Sequence, residues 1–249
     1  MATLKYNLNQ FGGAVIDPLQ LPDLPDDFAE QLAETILILK KNNINVLWLS
    51  MPIEKSSLIH TAVKAGFIYH HADKSYLELT LTLIEGSYIP PYATHYIGAG
   101  GVVLDDDQNL LVIVEKFRGL YKRHYKLPGG TLREGEHISD AVCREVLEET
   151  GIRTEFQFLS CMRHWHGYRY GKSDIYFVCR LKPLTHDITI ETAEIEEALW
   201  VPVNEYLASS ETHPFNKRIV ESALHGKGIR MEEIDGYGTK ETHEMLFSS

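Results

Sequence analysis

Apolar and polar positions change period several times over the first eighty residues. GGAVID at 12–17 has the short apolar run of a strand, and FAEQLAETILILKKNN at 28–43 repeats apolar residues at helical spacing, with Asp26 or Asp27 as candidate caps. VLWLSM at 46–51 predicts a strand, SSLIHTAVKAGF at 56–67 a helix closing at Gly66, and SYLELTLTL at 75–83 an alternating strand. The Gly- and Pro-containing stretch EGSYIPPYAT at 85–94 resembles a linker, which divides the chain into residues 1–88 and 89–249. Beyond it, GAGGVVLD and LLVIVEK predict the two strands of a hairpin around DDDQN. HYKLPGGTLREGE predicts a loop with strand fragments, followed by a helix over 138–150. FQFLSCMRHWH, SDIYFVCRL and EALWVPV predict further strands, and NKRIVESALHG a closing helix. Both parts mix helix and strand, so the fold class is α+β.

Composition narrows the function classes more than the fold. The formal net charge of -11 repels a polyanion, so a nucleic acid polymer is not the expected partner. A small phosphorylated substrate remains open, because a bound cation reverses the local sign at a carboxylate cluster. No apolar run approaches the roughly 20 residues of a membrane helix, and MATLKYNLNQFGG lacks a signal-peptide core, so a cytoplasmic protein off the membrane is expected. Cys143, Cys161 and Cys179 form no CxxC pair and read as buried, reduced thiols.

The chemistry concentrates between Gly130 and Ile152, in GTLREGEHISDAVCREVLEETGI. Glu145, Glu148 and Glu149 stand at i, i+3 and i+4 and share one helical face. Their mutual repulsion, at the end of the helix where the dipole already disfavours anions, is relieved by a divalent cation. A cluster of carboxylates without thiolates suits Mg²⁺ or Mn²⁺ better than zinc. Ile138, Val142 and Val146 form a narrow apolar stripe that docks the helix on a sheet, and Gly151 stops it. The bland alternative is a solvated acidic helix end held by Arg144–Glu148 pairing, about 0.2–0.5 kcal/mol per pair.

The segment resembles the complete Nudix box: Gly130, Glu136, Arg144, Glu145, Val146, Glu148, Glu149, Gly151 and Ile152 all stand at its fixed positions. The resemblance implies a Nudix α/β/α sandwich with a mixed sheet, and hydrolysis of a diphosphate linkage by metal-activated water. It implies Glu148 and Glu149 as metal ligands, Glu145 as a further ligand or the general base, and Arg144 as the group orienting Glu145. Glu136 would support the cluster, and the Gly130 carbonyl would reach the metal. A base from a later loop is also open, with Glu194 first among Glu194, Glu196 and Glu197, beside the reading of an exposed acidic turn.

AVIDPL at 14–19, VLWLSMPIEKSSLI at 46–59, AGFIYHHA at 65–72, KLPGG at 126–130 and SDIYFVCRLKPL at 173–184 extend the resemblance. They are similar to a Nudix subfamily that includes plant ADP-ribose and NADH pyrophosphatases and the animal antisense-growth-factor Nudix protein. That group implies a small N-terminal domain like a truncated acetyltransferase. Residues 1–90 carry no acetyl-CoA loop, so dimerisation or pocket support is its expected job, with a homodimer as the expected assembly. ADP-ribose or NADH are the expected substrates. Dinucleoside polyphosphates, coenzyme A, or a regulator that binds a nucleotide without turnover are the alternatives.

Outside the box, Tyr168 and Tyr170 are candidates to stack on a base, beside the reading of tyrosines half-buried at a strand end. His166 is a candidate phosphate contact, and His164 shares its strand face, without a third ligand in sequence to complete a metal set. Arg118, Lys122, Arg123 and Lys126 form either a phosphate-facing patch, with Arg118 the substrate-binding candidate, or a solvated loop. His70 and His71 read as structural, and the GAGG at 98–101 opens a strand instead of a dinucleotide-binding helix.

Overall fold

The computed structural model describes residues 2–117, 124–239 and 241–248. They separate into two compact units, 1–93 and 94–249.

The first unit begins with β1 (Tyr6–Leu8) and β2 (Ala14–Ile16). The helix α1 (Pro25–Lys41) follows, then β3 (Val46–Pro52). A 3-10 turn over Ile53–Leu58 leads into α2 (Ile59–Lys64), β4 (Ile68–Ala72) and β5 (Tyr76–Thr82). The strands form one sheet in the order β1-β2-β3-β5-β4. Phe28, Leu32 and Leu39 of α1 recur at helical spacing and pack with Leu47, Leu49 and Met51 of β3 in a single core.

Two sequence expectations change here. Neither Asp26 nor Asp27 caps α1: Leu24 is the N-cap and Pro25 occupies the first turn. Proline's fixed φ suits that position and its missing N–H costs nothing there, so the aspartates fall inside the first turn, facing the dipole's positive end. The helix expected over 56–67 is split, because a 3-10 turn precedes only six α-helical residues. His70 and His71 contact each other, and His71 stacks on Tyr92 at 4.0 Å and meets the Tyr76 hydroxyl at 3.1 Å, all within this unit.

The second unit opens with β6 (His95–Val103) and β7 (Asn109–Glu115). Then come β8 (Gly129–Thr131), the helix α3 (Ile138–Thr150), β9 (Thr154–Trp165) and β10 (Ser173–Pro183). The chain closes with β11 (Ile195–Pro202), α4 (Val203–Ala208), α5 (Pro214–His225), β12 (Ile229–Met231) and β13 (Leu246–Ser248). The main sheet runs β13-β12-β9-β10-β6-β8 and is mixed, with β6 parallel to β10; β7 and β11 pair separately. Val142 and Val146 of α3 pack on one face with Ala99, Val103, Cys179 and Leu181. Ile219 and Val220 of α5 pack on the other with Val102 and Val178. Helices thus cover both faces of the sheet.

The hairpin expected of β6 and β7 does not form; apart from one bridge between Leu104 and Leu110, the two strands belong to different sheets. Asp105 turns the chain between them by accepting hydrogen bonds from the Asn109 backbone N–H and carboxamide, at 2.7 and 2.9 Å. Only Cys179 is fully buried; Cys143 and Cys161 are half-buried, all three are free, and burial pushes each thiol's pKa up. Among the described residues no helix is long and apolar enough to cross a membrane.

Candidate active site

The apolar stripe of α3 fixes which way its carboxylates point. With Val142 and Val146 sealed against the sheet, Glu145, Glu148 and Glu149 fall along the edge facing β8 and its Gly-Gly turn. Gly151, at φ 74°, ends the helix as a left-handed cap. The other end is stopped by a residue that sequence reading missed. His137 gives no side-chain cap, and the backbone N–H groups of Ile138 and Ser139 each donate to the Glu244 carboxylate at 2.9 Å.

Glycine is required where the helix meets β8. A Cβ on Gly130 would sit 2.5 Å from a Glu145 carboxylate oxygen, so the bare backbone is what lets that carboxylate approach. A Cβ on Gly129 would strike the Ala99 carbonyl at 2.4 Å, and its φ of 150° also favours glycine. The Gly129 N–H donates to Glu149 at 2.8 Å.

Arg144 is the hub of the acidic set. Its guanidinium donates to both oxygens of Glu136, at 2.6 and 2.8 Å, the bidentate geometry that only arginine offers. It also donates to Glu145 at 2.8 Å and to Glu148 at 3.0 Å. This guanidinium draws Glu136 down to a pKa of about 2, assisted by the Arg133 backbone N–H. The same carboxylates push the Arg144 pKa up. Arg133 makes a second hydrogen bond to Glu148, at 2.9 Å.

Glu149 is set apart from these ion pairs. It is buried, and burial, reinforced by Glu145 and Glu115, raises its pKa to about 7 against the opposing pull of Lys126 and the Gly129 N–H. A buried carboxylate among carboxylates is relieved by a cation more than by any neutral partner. Among the described residues no three His, Cys, Asp or Glu side chains stand as a finished metal-binding group. Arg144 holds Glu145 and Glu148 toward itself. The donor set nonetheless fits a hard divalent cation, since it is all carboxylate and burial disfavours the bare charge of Glu149.

The remaining candidates are dispersed. Glu194 lies exposed on the turn before β11, where its carbonyl accepts from the Lys116 N–H at 2.8 Å; the same loop reaches the end of α3 through a Thr189 N–H to Thr150 carbonyl bond of 2.9 Å. Glu197 accepts from the Tyr125 hydroxyl at 3.5 Å. Lys126 pairs with Glu115. Arg118, Lys122 and Arg123 lie outside the described residues. Tyr170 is 88% exposed and left-handed at φ 53°, whereas Tyr168 packs among other rings. His166 contacts the Ser173 hydroxyl at 2.9 Å and lies beside His164, whose Nε2 is 2.9 Å from that of His95. His95, on β6, is a neighbour that sequence spacing gave no reason to connect.

A NUDIX domain model matches residues 94–223, and a second model, of a Nudix hydrolase domain, matches residues 4–83. Nudix hydrolase 8 of Arabidopsis thaliana is 38% identical over 206 residues, covering 80% of this chain but only 55% of that protein. Nudix hydrolase 2 of the same plant is 38% identical over 209 residues, covering 82% and 74%. Nucleoside diphosphate-linked moiety X motif 6 of Homo sapiens is 34% identical over 240 residues, covering 93% and 75%. With a family model over most of the second unit and relatives aligned across both, the chain belongs to the Nudix hydrolase family.

Proposed function

We propose that the second unit hydrolyses the diphosphate linkage of a nucleoside diphosphate derivative, ADP-ribose or NADH first among them, using Mg²⁺ or Mn²⁺. The observation that carries this reading is the buried Glu149, accepting from the Gly129 N–H at the glycine pair of β8 and facing Glu145, whose charge adds to the effect of burial. A hard cation held by Glu145, Glu148, Glu149 and the Gly130 carbonyl would supply Lewis-acid charge and make bound water acidic enough to attack phosphorus. The chain's own residues do the rest. Arg144 orients Glu145 from one side while the bare Gly130 backbone admits it from the other. Glu136 fixes Arg144 by its two-pronged pair. Glu145, or Glu194 brought in from its turn, accepts the proton of the attacking water.

The name of the human relative, which speaks of a moiety linked to a nucleoside diphosphate, supports a substrate of that class. The test is a panel of ADP-ribose, NADH, dinucleoside polyphosphates and coenzyme A with either metal, and mass identification of products. Monophosphate products from the first two are expected. No product from any compound in either metal would overturn the reading.

A further inference from the structure

One end of the main sheet carries an aromatic group that the acidic site does not use. Asp174 on β10 pairs in register with Tyr96 on β6 and Trp165 on β9, and Tyr176 pairs with Arg163 and Gly98. Directly opposed residues, and those two apart, share a sheet face, so all of these side chains project the same way. Tyr168, from the turn after β9, closes over them. Its ring lies 5.6 Å from Tyr96 and 5.3 Å from Trp165, edge to face with both.

Packing alone does not account for these rings. Tyr96, Trp165 and Tyr168 belong to neither hydrophobic core of the unit, and Trp165 is 46% exposed. Hydrophobic burial gives no reason to gather three aromatic side chains at an open sheet end. Arg163 lies 5.5 Å from the centre of the Trp165 ring and is ion-paired with the buried Asp174. Its charge is met by Asp174, and a second guanidinium, that of Arg169, lies 5.3 Å from the centre of the Tyr168 ring, so the rings form a π platform.

The platform also connects to the acidic site. Arg163 lies 5.4 Å from the Tyr176 ring, and the buried Tyr176 hydroxyl is pressed against Gly129, where a Cβ would come within 2.7 Å. Gly129 in turn donates to Glu149. Two side chains and one glycine thus separate the rings from the carboxylate proposed to hold the metal.

We propose that Tyr96, Trp165 and Tyr168 form the subsite for the planar heteroaromatic base of the nucleotide substrate, leaving its diphosphate at α3. This deepens the proposed function and rests on it for the identity of the reaction, although not for the binding of a base. Stacking on such rings tolerates any base, so the subsite selects nucleotides over base-free phosphate esters more than it selects among bases.

The probes are AMP and ribose 5-phosphate, which share the phosphate and sugar and differ by the base. Calorimetry on the full chain in Mg²⁺ should show AMP binding more tightly. Trp165→Ala should shrink that preference roughly 5- to 150-fold, the range expected for loss of one base–aromatic stack. Trp165→Phe should retain most of it, and Tyr168→Ala, with only a turn residue altered, should reduce it if the first variant misfolds. A wild-type chain that binds both probes alike, or a folded Trp165→Ala and Tyr168→Ala pair that keeps the full preference, would overturn the subsite. AMP held through Trp165, with the substrate panel left uncleaved, would support the subsite and defeat the hydrolase reading alone.

Discussion

Helices α1 and α3 are built by opposite rules. In α1, Asp26 and Asp27 occupy the first turn and Lys40 and Lys41 the last, so charges oppose the macrodipole at both ends. In α3, the last turn has no basic residue and the carboxylates of Glu148 and Glu149 stand where the dipole already disfavours them. Both helices dock through an apolar stripe, Phe28, Leu32 and Leu39 in one and Val142 and Val146 in the other. The contrast therefore lies outside those stripes, and in α3 it includes the buried Glu149. A helix selected for stability alone has no use for the α3 pattern; one that binds a cation does. α3 should gain stability from metal, and α1 should be indifferent to it.

The largest expected break is Glu149→Gln. Gln can still accept the Gly129 N–H bond, so the fold should hold while hydrolysis falls on the order of 10²- to 10⁴-fold, as for other positioned groups at a reacting centre. The same variant carries a pH signature without metal. Between pH 4.5 and about 7 the folded wild-type chain keeps a proton on Glu149 that the unfolded chain has released. Folding then binds a proton, so metal-free stability should decline as pH rises across that window. Thermal melts in chelator should show this decline in the wild type and a flatter profile in Glu149→Gln; identical profiles would remove the buried charge from the argument. Phe28→Ala is the matching break in α1. It should destabilise the first unit by about 3–5 kcal/mol, as large-to-small core changes do, with no recovery when Mg²⁺ is added.

Arg144→Ala tests whether the guanidinium or the metal organises α3. Removing it strands Glu136, Glu145 and Glu148 together, at a cost of about 1.5–3 kcal/mol, the scale of charge-assisted hydrogen bonds. Unlike the Phe28 variant, part of this loss should return with Mg²⁺, read as a rise in melting temperature. Glu136 supplies the acid limb. Its folded pKa lies below its unfolded one, so its pairing stabilises above pH 4.5 and is lost as pH falls toward about 2. That limb should vanish in the variant.

The same contrast explains what the sequence made legible. The stripe at Val142 and Val146 and the stop at Gly151 are local signals, and α3 occupies the predicted 138–150. The Nudix box is likewise a spacing within one segment. What escaped notice depends on partners far along the chain: Glu244 caps α3 from 105 residues away, and His95 meets His164 across 69. The pairing of β6 with β10 instead of β7 has the same origin, since nothing in GAGGVVLD records which distant strand will lie beside it. The start of α1 escaped for a different reason. Capping preference favours Asp over Leu, but Pro25 presets the first turn and overrules it.

The smallest effect tests the α1 half of the comparison. Lys40→Glu and Lys41→Glu put negative charge at the C-terminus of a helix that otherwise follows the dipole, reproducing there the arrangement native to α3. Each should cost about 0.3–1 kcal/mol at low ionic strength. The side chains are exposed, so the cost should fade as salt shortens the Debye length to about 3 Å near 1 M. Mg²⁺ at equal ionic strength should do no more than monovalent salt, because two adjacent glutamates at i and i+1 diverge around the helix and make no common site. A metal-specific rise in melting temperature for the double variant would mean that acidic charge at a helix end suffices to hold the cation. The burial of Glu149 and the glycine contact of Glu145 would then lose their claim to distinguish α3.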